Sequence, residues 1–121
     1  MNKPQGLDPF NNYIYGPYAS DWYRYNLLAK APHSTTTGEY QAHHMLPQKY
    51  EAKFQAAGIN IHNPGFLRRW CSTKGVATNH QSQAYSYNQL WENYFASNLR
   101  ANWMQILLFM YRIQKQFTYT C

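Results

Sequence analysis

The chain has 121 residues, enough for one domain around one modest core. Aromatics make up 18% of it and charged residues only 13%, which argues against disorder and for a folded domain with a neutral-polar surface. The net charge of +6 favours a polyanionic partner, and the scattered bases equally suit a solvated basic face.

The start, MNKPQGLDPF, is polar and has no apolar core of the kind a signal peptide carries. Residues 1–34 read as an irregular lead-in rich in Asn, Pro, Gly and Tyr, with a short helix around Ser20 to Leu28. STTTGEYQAHHML reads as extended, and Pro47 ends that strand and opens a helix. In QKYEAKFQAAG, Tyr50, Phe54 and Ala57 recur at i, i+4 and i+7, and Gly58 stands where a C-cap glycine belongs. Asn63, Pro64 and Gly65 predict a turn, Phe66 to Cys71 a short strand, and CSTKGVATNH a loop.

From about His80 the pattern turns helical, with Tyr87, Leu90, Trp91, Tyr94 and Phe95 at helical spacing. Ser97 and Asn98 either break this helix or cap the next one, which spans about 98–117 with Leu99, Trp103, Ile106, Leu107 and Met110 on its apolar side. The most apolar run, Trp103 to Tyr111, falls short of the roughly 20 residues a membrane-spanning helix needs, and Gln105 interrupts it. No membrane span is expected, and the domain reads as soluble. Cys71 and Cys121 lack CxxC spacing, so neither a zinc site nor a disulfide follows from them alone.

His43 and His44 are neighbours on the expected strand, so their side chains point to opposite faces. His80 falls where a helix begins, a place suited to holding an anion or ligand. Neutral imidazole binds divalent metals and is the natural general base near pH 7. Hydrolysis of a phosphodiester needs both roles filled. By spacing alone, the same histidines also suit ordinary surface or core positions.

Several segments together, AHHMLP, GINIHNPGFL and NHQSQAYSYNQLWENYF, resemble the AHH group of nucleases. That group belongs to the HNH/endonuclease VII superfamily. The resemblance covers about residues 38–96. It implies an α+β, mostly helical fold: a small ββα-metal, treble-clef-like nuclease core within 35–121, followed by extra C-terminal helices. Position by position, His44 resembles the general base and His43 the first metal ligand. Asn63 resembles the middle polar residue that orients the base. His80 resembles a metal ligand at the start of the last helix, and Asn88 the helical asparagine that follows. Asn63 is equally explained as a turn residue, and Asn88 is better explained as a helix cap or cross-link than as a direct ligand.

Many relatives carry a second histidine four residues after the first on that helix, and here the position is Ala84. One protein ligand fewer favours weakly held Mg²⁺ over Zn²⁺, Ni²⁺ or Mn²⁺, and also fits a degraded, non-catalytic copy. His62 and His33 take no role from the resemblance, and His62 reads as structural or surface.

Lys49, Lys53, Arg68, Arg69 and Lys74 flank these positions and suit phosphate contacts, or a solvated face. The aromatics of the later helices read as core. The resemblance further implies an antibacterial toxin tip of the polymorphic, Rhs-associated kind. Such a tip is secreted or delivered into a target cell, where it acts in the cytoplasm on nucleic acid, DNA favoured. It would need a cognate acidic immunity protein. The competing classes are a non-catalytic nucleic-acid or protein-binding module, and an unrelated helical interaction domain that uses Trp103 to Phe117.

Overall fold

Two short strands and four helices make an α+β fold, about half helical, in a computed structural model that describes residues 15–30 and 40–119. Most of the lead-in, His33, the residues just before the first strand and Cys121 lie outside the described residues. Helix α1 spans Tyr23–Lys30, strand β1 Tyr40–His44, and a 3₁₀ turn at Gln48–Tyr50 leads into α2 at Glu51–Ala56. A second 3₁₀ turn, Pro64–Phe66, precedes strand β2 at Leu67–Cys71; α3 spans His80–Ser97 and α4 Trp103–Gln114.

The strands pair antiparallel, with His43 opposite Arg68 and His44 opposite Leu67. Alternation along β1 sends His43 and His44 to opposite faces of this ribbon. Helix α1 packs against both strands, and the Lys30 ammonium donates to the Leu67 carbonyl at 2.8 Å. A short helix was expected around Ser20 to Leu28 within an otherwise irregular lead-in; it forms at Tyr23–Lys30 and covers one side of the sheet. Asn26 holds the approach to it, accepting from the Gly16 amide at 2.8 Å and donating to the Pro17 carbonyl at 3.0 Å. A Cβ at Gly16 would meet the Trp22 ring at 2.4 Å, so only glycine permits this crossing.

The opposite side of the sheet is closed by aromatic side chains. Trp70 is fully buried and meets Tyr87, Phe117 and Tyr119. Along α3 the buried residues are Tyr87, Trp91 and Phe95, one every four positions, and Phe54 of α2 packs on the last two. Helix α4 contributes Ile106, Met110 and Ile113. The helix begins at Trp103 rather than near 98, because Asn102 and Gln105 form a reciprocal capping box. Consequently Leu99 and Trp103 stay exposed, not on the buried face expected of them.

Pro47 precedes a 3₁₀ turn instead of opening the helix directly, while Gly58 ends that unit with φ of 83°, as a C-cap glycine does. Beyond α4 the chain returns to the sheet, where the Cys71 amide donates to the Tyr119 carbonyl at 2.7 Å. Cys71 is disulfide-bonded, which settles a question its spacing left open. Among the described residues, no helix is long and apolar enough to cross a membrane.

Candidate functional site

A cleft of about 620 Å³ lies over β1, between α1 and the start of α3. His43, His44 and His80 all line it, together with Arg24, Lys49, Arg69, Ala84 and Asn88. Two local features bring the histidines there. β1 ends at His44 and presents both neighbours. Asn79 caps α3 by accepting from the Ser82 amide at 2.8 Å and also donates to the Thr73 carbonyl at 3.0 Å, which seats His80 as the first helical residue. Ala84 and Asn88 follow at i+4 and i+8, on the His80 face of the helix.

The histidines form two separate pairs. In the first, His43 Nδ1 lies 3.3 Å from His80 Nε2, and His80 Nδ1 lies 3.3 Å from the Gln41 side-chain oxygen. Trp70 and Tyr87 wall this pair, with ring centroids 4.6 Å from that of His43. In the second, His44 Nε2 lies 3.0 Å from His62 Nδ1, and His62 Nε2 lies 3.2 Å from a Glu51 carboxylate oxygen. The Tyr23 ring of α1 rests against His44 at 4.5 Å between centroids.

Burial shapes the protonation of these groups. It pushes His43 down to about 2, with the neighbouring His80, His44 and Arg68 adding to the effect. Burial, then His62, lowers His44 to about 4, and burial lowers His80 as well. The three imidazoles are therefore neutral near pH 7, the form that ligates metals and accepts protons. Burial also raises the Tyr87 hydroxyl, which stays protonated and donates to the Met45 carbonyl at 2.5 Å.

The chemistry of the donors fits a loosely held divalent cation. Two imidazole nitrogens bound to one ion at about 2.1 Å stand about 3.0–3.4 Å apart for angles between 90° and tetrahedral. His43 Nδ1 and His80 Nε2 are separated by 3.3 Å. The Gln41 oxygen takes the Nδ1–H of His80 and leaves its Nε2 lone pair facing His43, the outer-shell support that ligating histidines usually have. His43 Nε2 is buried without a partner among the described residues. No group of three or more His, Cys, Asp or Glu converges there among the described residues, so further ligands would be Asn88, water or substrate oxygens.

No protein-family model, curated protein or solved structure matches this chain.

The cations divide sharply. Lys49 and Arg69 line the cleft, whereas Lys53 sits over the Phe95 ring and lines a different hollow. Arg68 lies flat on the Tyr119 ring, 3.4 Å from its centre. Lys74 is exposed on the turn before α3 and does not line the cleft. Asn63 caps the second 3₁₀ turn, its side chain accepting from the Gly65 amide at 2.9 Å, and does not line the cleft either. Sequence reasoning missed several residues, Gln41 and Glu51 among them. Arg24 reaches the cleft from α1, and His62, read as structural or surface, is buried between His44 and Glu51. An Arg in a short helix and a lone His before a turn carry no spacing signal that would have singled them out.

Proposed function

We propose that the chain is a metal-dependent nuclease that hydrolyses phosphodiester bonds, with DNA the favoured substrate. The observation that carries this reading is the placement of three neutral imidazoles, His43, His44 and His80, along one cleft that also holds Arg24, Lys49 and Arg69. Their order supports it further. Two antiparallel strands are followed by a helix, with the histidine pair on the first strand and His80 opening the helix. A ββα-metal core needs that arrangement.

In this mechanism His43 and His80 would hold a divalent cation, with Asn88 beside them. When bound, the cation offsets negative charge on the phosphate and the leaving oxygen. Imidazole donors suit Mn²⁺, Ni²⁺ or Zn²⁺, while a shell completed by water admits Mg²⁺. Arg24, Lys49 and Arg69 take the phosphate backbone and fix its path along the cleft. His44 accepts a proton from water as the hydroxide oxygen bonds to phosphorus and the bond to the leaving oxygen breaks. The proton on His44 then passes to solvent, and the leaving oxygen takes up a proton from solvent to depart as a hydroxyl. A base held at about 4 is already deprotonated at neutral pH.

The same reading includes a toxin role in bacterial competition, delivery into a target cell and protection of the producer by an acidic immunity protein. The net charge of +6 supports an acidic partner as well as a nucleic-acid substrate. A second reading, a non-catalytic binding module, is favoured by Ala84, which leaves two histidines at the metal position among the described residues.

Plasmid cleavage by the purified chain tests the choice, with Mg²⁺, Mn²⁺ or Zn²⁺, with EDTA, and with His44→Ala. Cleavage lost in EDTA and in the variant, with binding retained, supports the nuclease. Binding without cleavage of DNA or RNA under every metal supports the binding module.

A further inference from the structure

We propose that Glu51 and His62 form a relay that fixes which nitrogen of His44 carries its proton, making His62 a positioning residue for that base. The catalytic use of the relay rests on the nuclease reading; the relay itself does not.

A neutral imidazole has one N–H and one bare nitrogen, and a carboxylate only accepts. His62 Nε2 faces a Glu51 carboxylate oxygen at 3.2 Å, so that nitrogen carries the His62 hydrogen. His62 Nδ1 is then bare, and it faces His44 Nε2 at 3.0 Å. The bond between them exists only if His44 Nε2 is the donor. His44 Nδ1 is left as the nitrogen free to accept a proton. Without the carboxylate nothing would select this arrangement, since either histidine could donate to the other.

The surroundings hold the relay in register. His62 is 5% exposed, and its backbone amide donates to the Asn60 side-chain oxygen at 3.0 Å. The Asn60 amide group in turn donates to the Tyr18 carbonyl at 2.9 Å. Glu51 opens α2 and is half exposed, so it can be replaced without opening the core. A histidine kept only to fill space would need neither the carboxylate nor a ring edge aligned on His44.

The test is long-range proton–nitrogen NMR of the full chain labelled at its histidines, which reads the tautomer of each ring without reference to activity. In the wild type, His44 and His62 both carry hydrogen on Nε2. In Glu51→Ala, His62 loses its preference and His44 becomes a mixture, while Glu51→Gln, whose side-chain oxygen still accepts, preserves much of it. His62→Phe frees His44 in the same way, and Glu51→Ala carries the test should that buried variant not fold. In cleavage assays Glu51→Ala lowers kcat about tenfold to a hundredfold with KM little changed, the range for outer-shell partners of a site histidine. His44 found with hydrogen on Nδ1 in the wild type, or a tautomer unmoved by Glu51→Ala, overturns the relay. Cleavage that persists with such a result leaves the nuclease standing without it. A tautomer that follows Glu51 in a chain that cuts neither DNA nor RNA upholds the relay and removes the nuclease reading alone.

Discussion

His43 and His80 are 37 positions apart in sequence, yet their ring nitrogens face each other at 3.3 Å over the indole of Trp70. One comes from the middle of a strand pair and the other from the first residue of a helix. Gln41, two residues before His43, anchors the far nitrogen of His80. If this pair holds a cation, Gln41→Ala should weaken Mn²⁺ or Zn²⁺ binding about tenfold to a hundredfold, and His80→Ala should abolish it. Titration calorimetry on the folded variants measures both. Unchanged affinity in His80→Ala would remove the metal from this position.

Trp70 supports the pair from below and is fully buried. Trp70→Ala should destabilise the fold by about 3–5 kcal/mol, through the cavity it leaves among His43, His80, Tyr87, Phe117 and Tyr119. Trp103 is 54% exposed on α4, and its replacement by alanine should change stability by about 0.5 kcal/mol or less. Urea unfolding of the two variants provides the comparison, and equal losses would contradict the packing described.

The cap of α3 sets where His80 stands. Asn79→Ala removes the acceptor for the Ser82 amide and the donor to the Thr73 carbonyl. A loss of about 0.5–2 kcal/mol is expected, together with weaker metal binding, because the first turn frays with His80 in it. Asn79→Asp or Asn79→Ser keeps a capping oxygen and should recover most of the stability.

Acid should destabilise the metal-free protein early. His43, His44 and His80 all titrate lower in the fold than in the unfolded chain, whose histidines lie near 6.5. Their contribution is fully present above pH 6.5. As pH falls through 6.5 the unfolded chain takes up protons first, and stability drops down to about 4 for His44 and about 2 for His43. The slope in that window is at most about 1.4 kcal/mol per pH unit for each histidine. Urea midpoints measured at pH 7.5, 6 and 5 check the sign, and a flat profile would mean that these rings are more hydrated than their burial indicates.

Salt dependence separates the cations. Arg24, Lys49 and Arg69 line the cleft, and each alanine variant should reduce the slope of log affinity against log salt by about 1 on duplex DNA. Lys74→Ala, away from the cleft, should leave the slope nearly unchanged. Fluorescence anisotropy across a salt series resolves the difference.

Local pattern was enough for much of the framework. The Thr, Tyr and Met residues around AHH predict a strand, Gly58 the stop of the helix that follows, and Tyr87, Trp91 and Phe95 a buried helical stripe, because each signal is complete within a few residues. The polar caps moved boundaries by a few positions, as with Asn102 at the start of α4. Which charged groups share a surface was not legible. Arg68 and Arg69 are neighbours in sequence, but the strand places them on opposite faces, one against Tyr119 and the other at the cleft. Lys49 and Lys53 follow each other along one turn of chain and end at different hollows, because a 3₁₀ turn precedes the helix.

The sequence by itself determined roughly where strands and helices form, and it singled out His43, His44 and His80 as candidates for one site. Only the tertiary structure decided how those histidines pair. His44 meets His62 and Glu51 because α2 and the turn after it reverse the chain beneath the end of β1, and His43 meets His80 because α3 starts beside the sheet. Contacts across 18 and 37 positions depend on chain reversals and packing that no local period records.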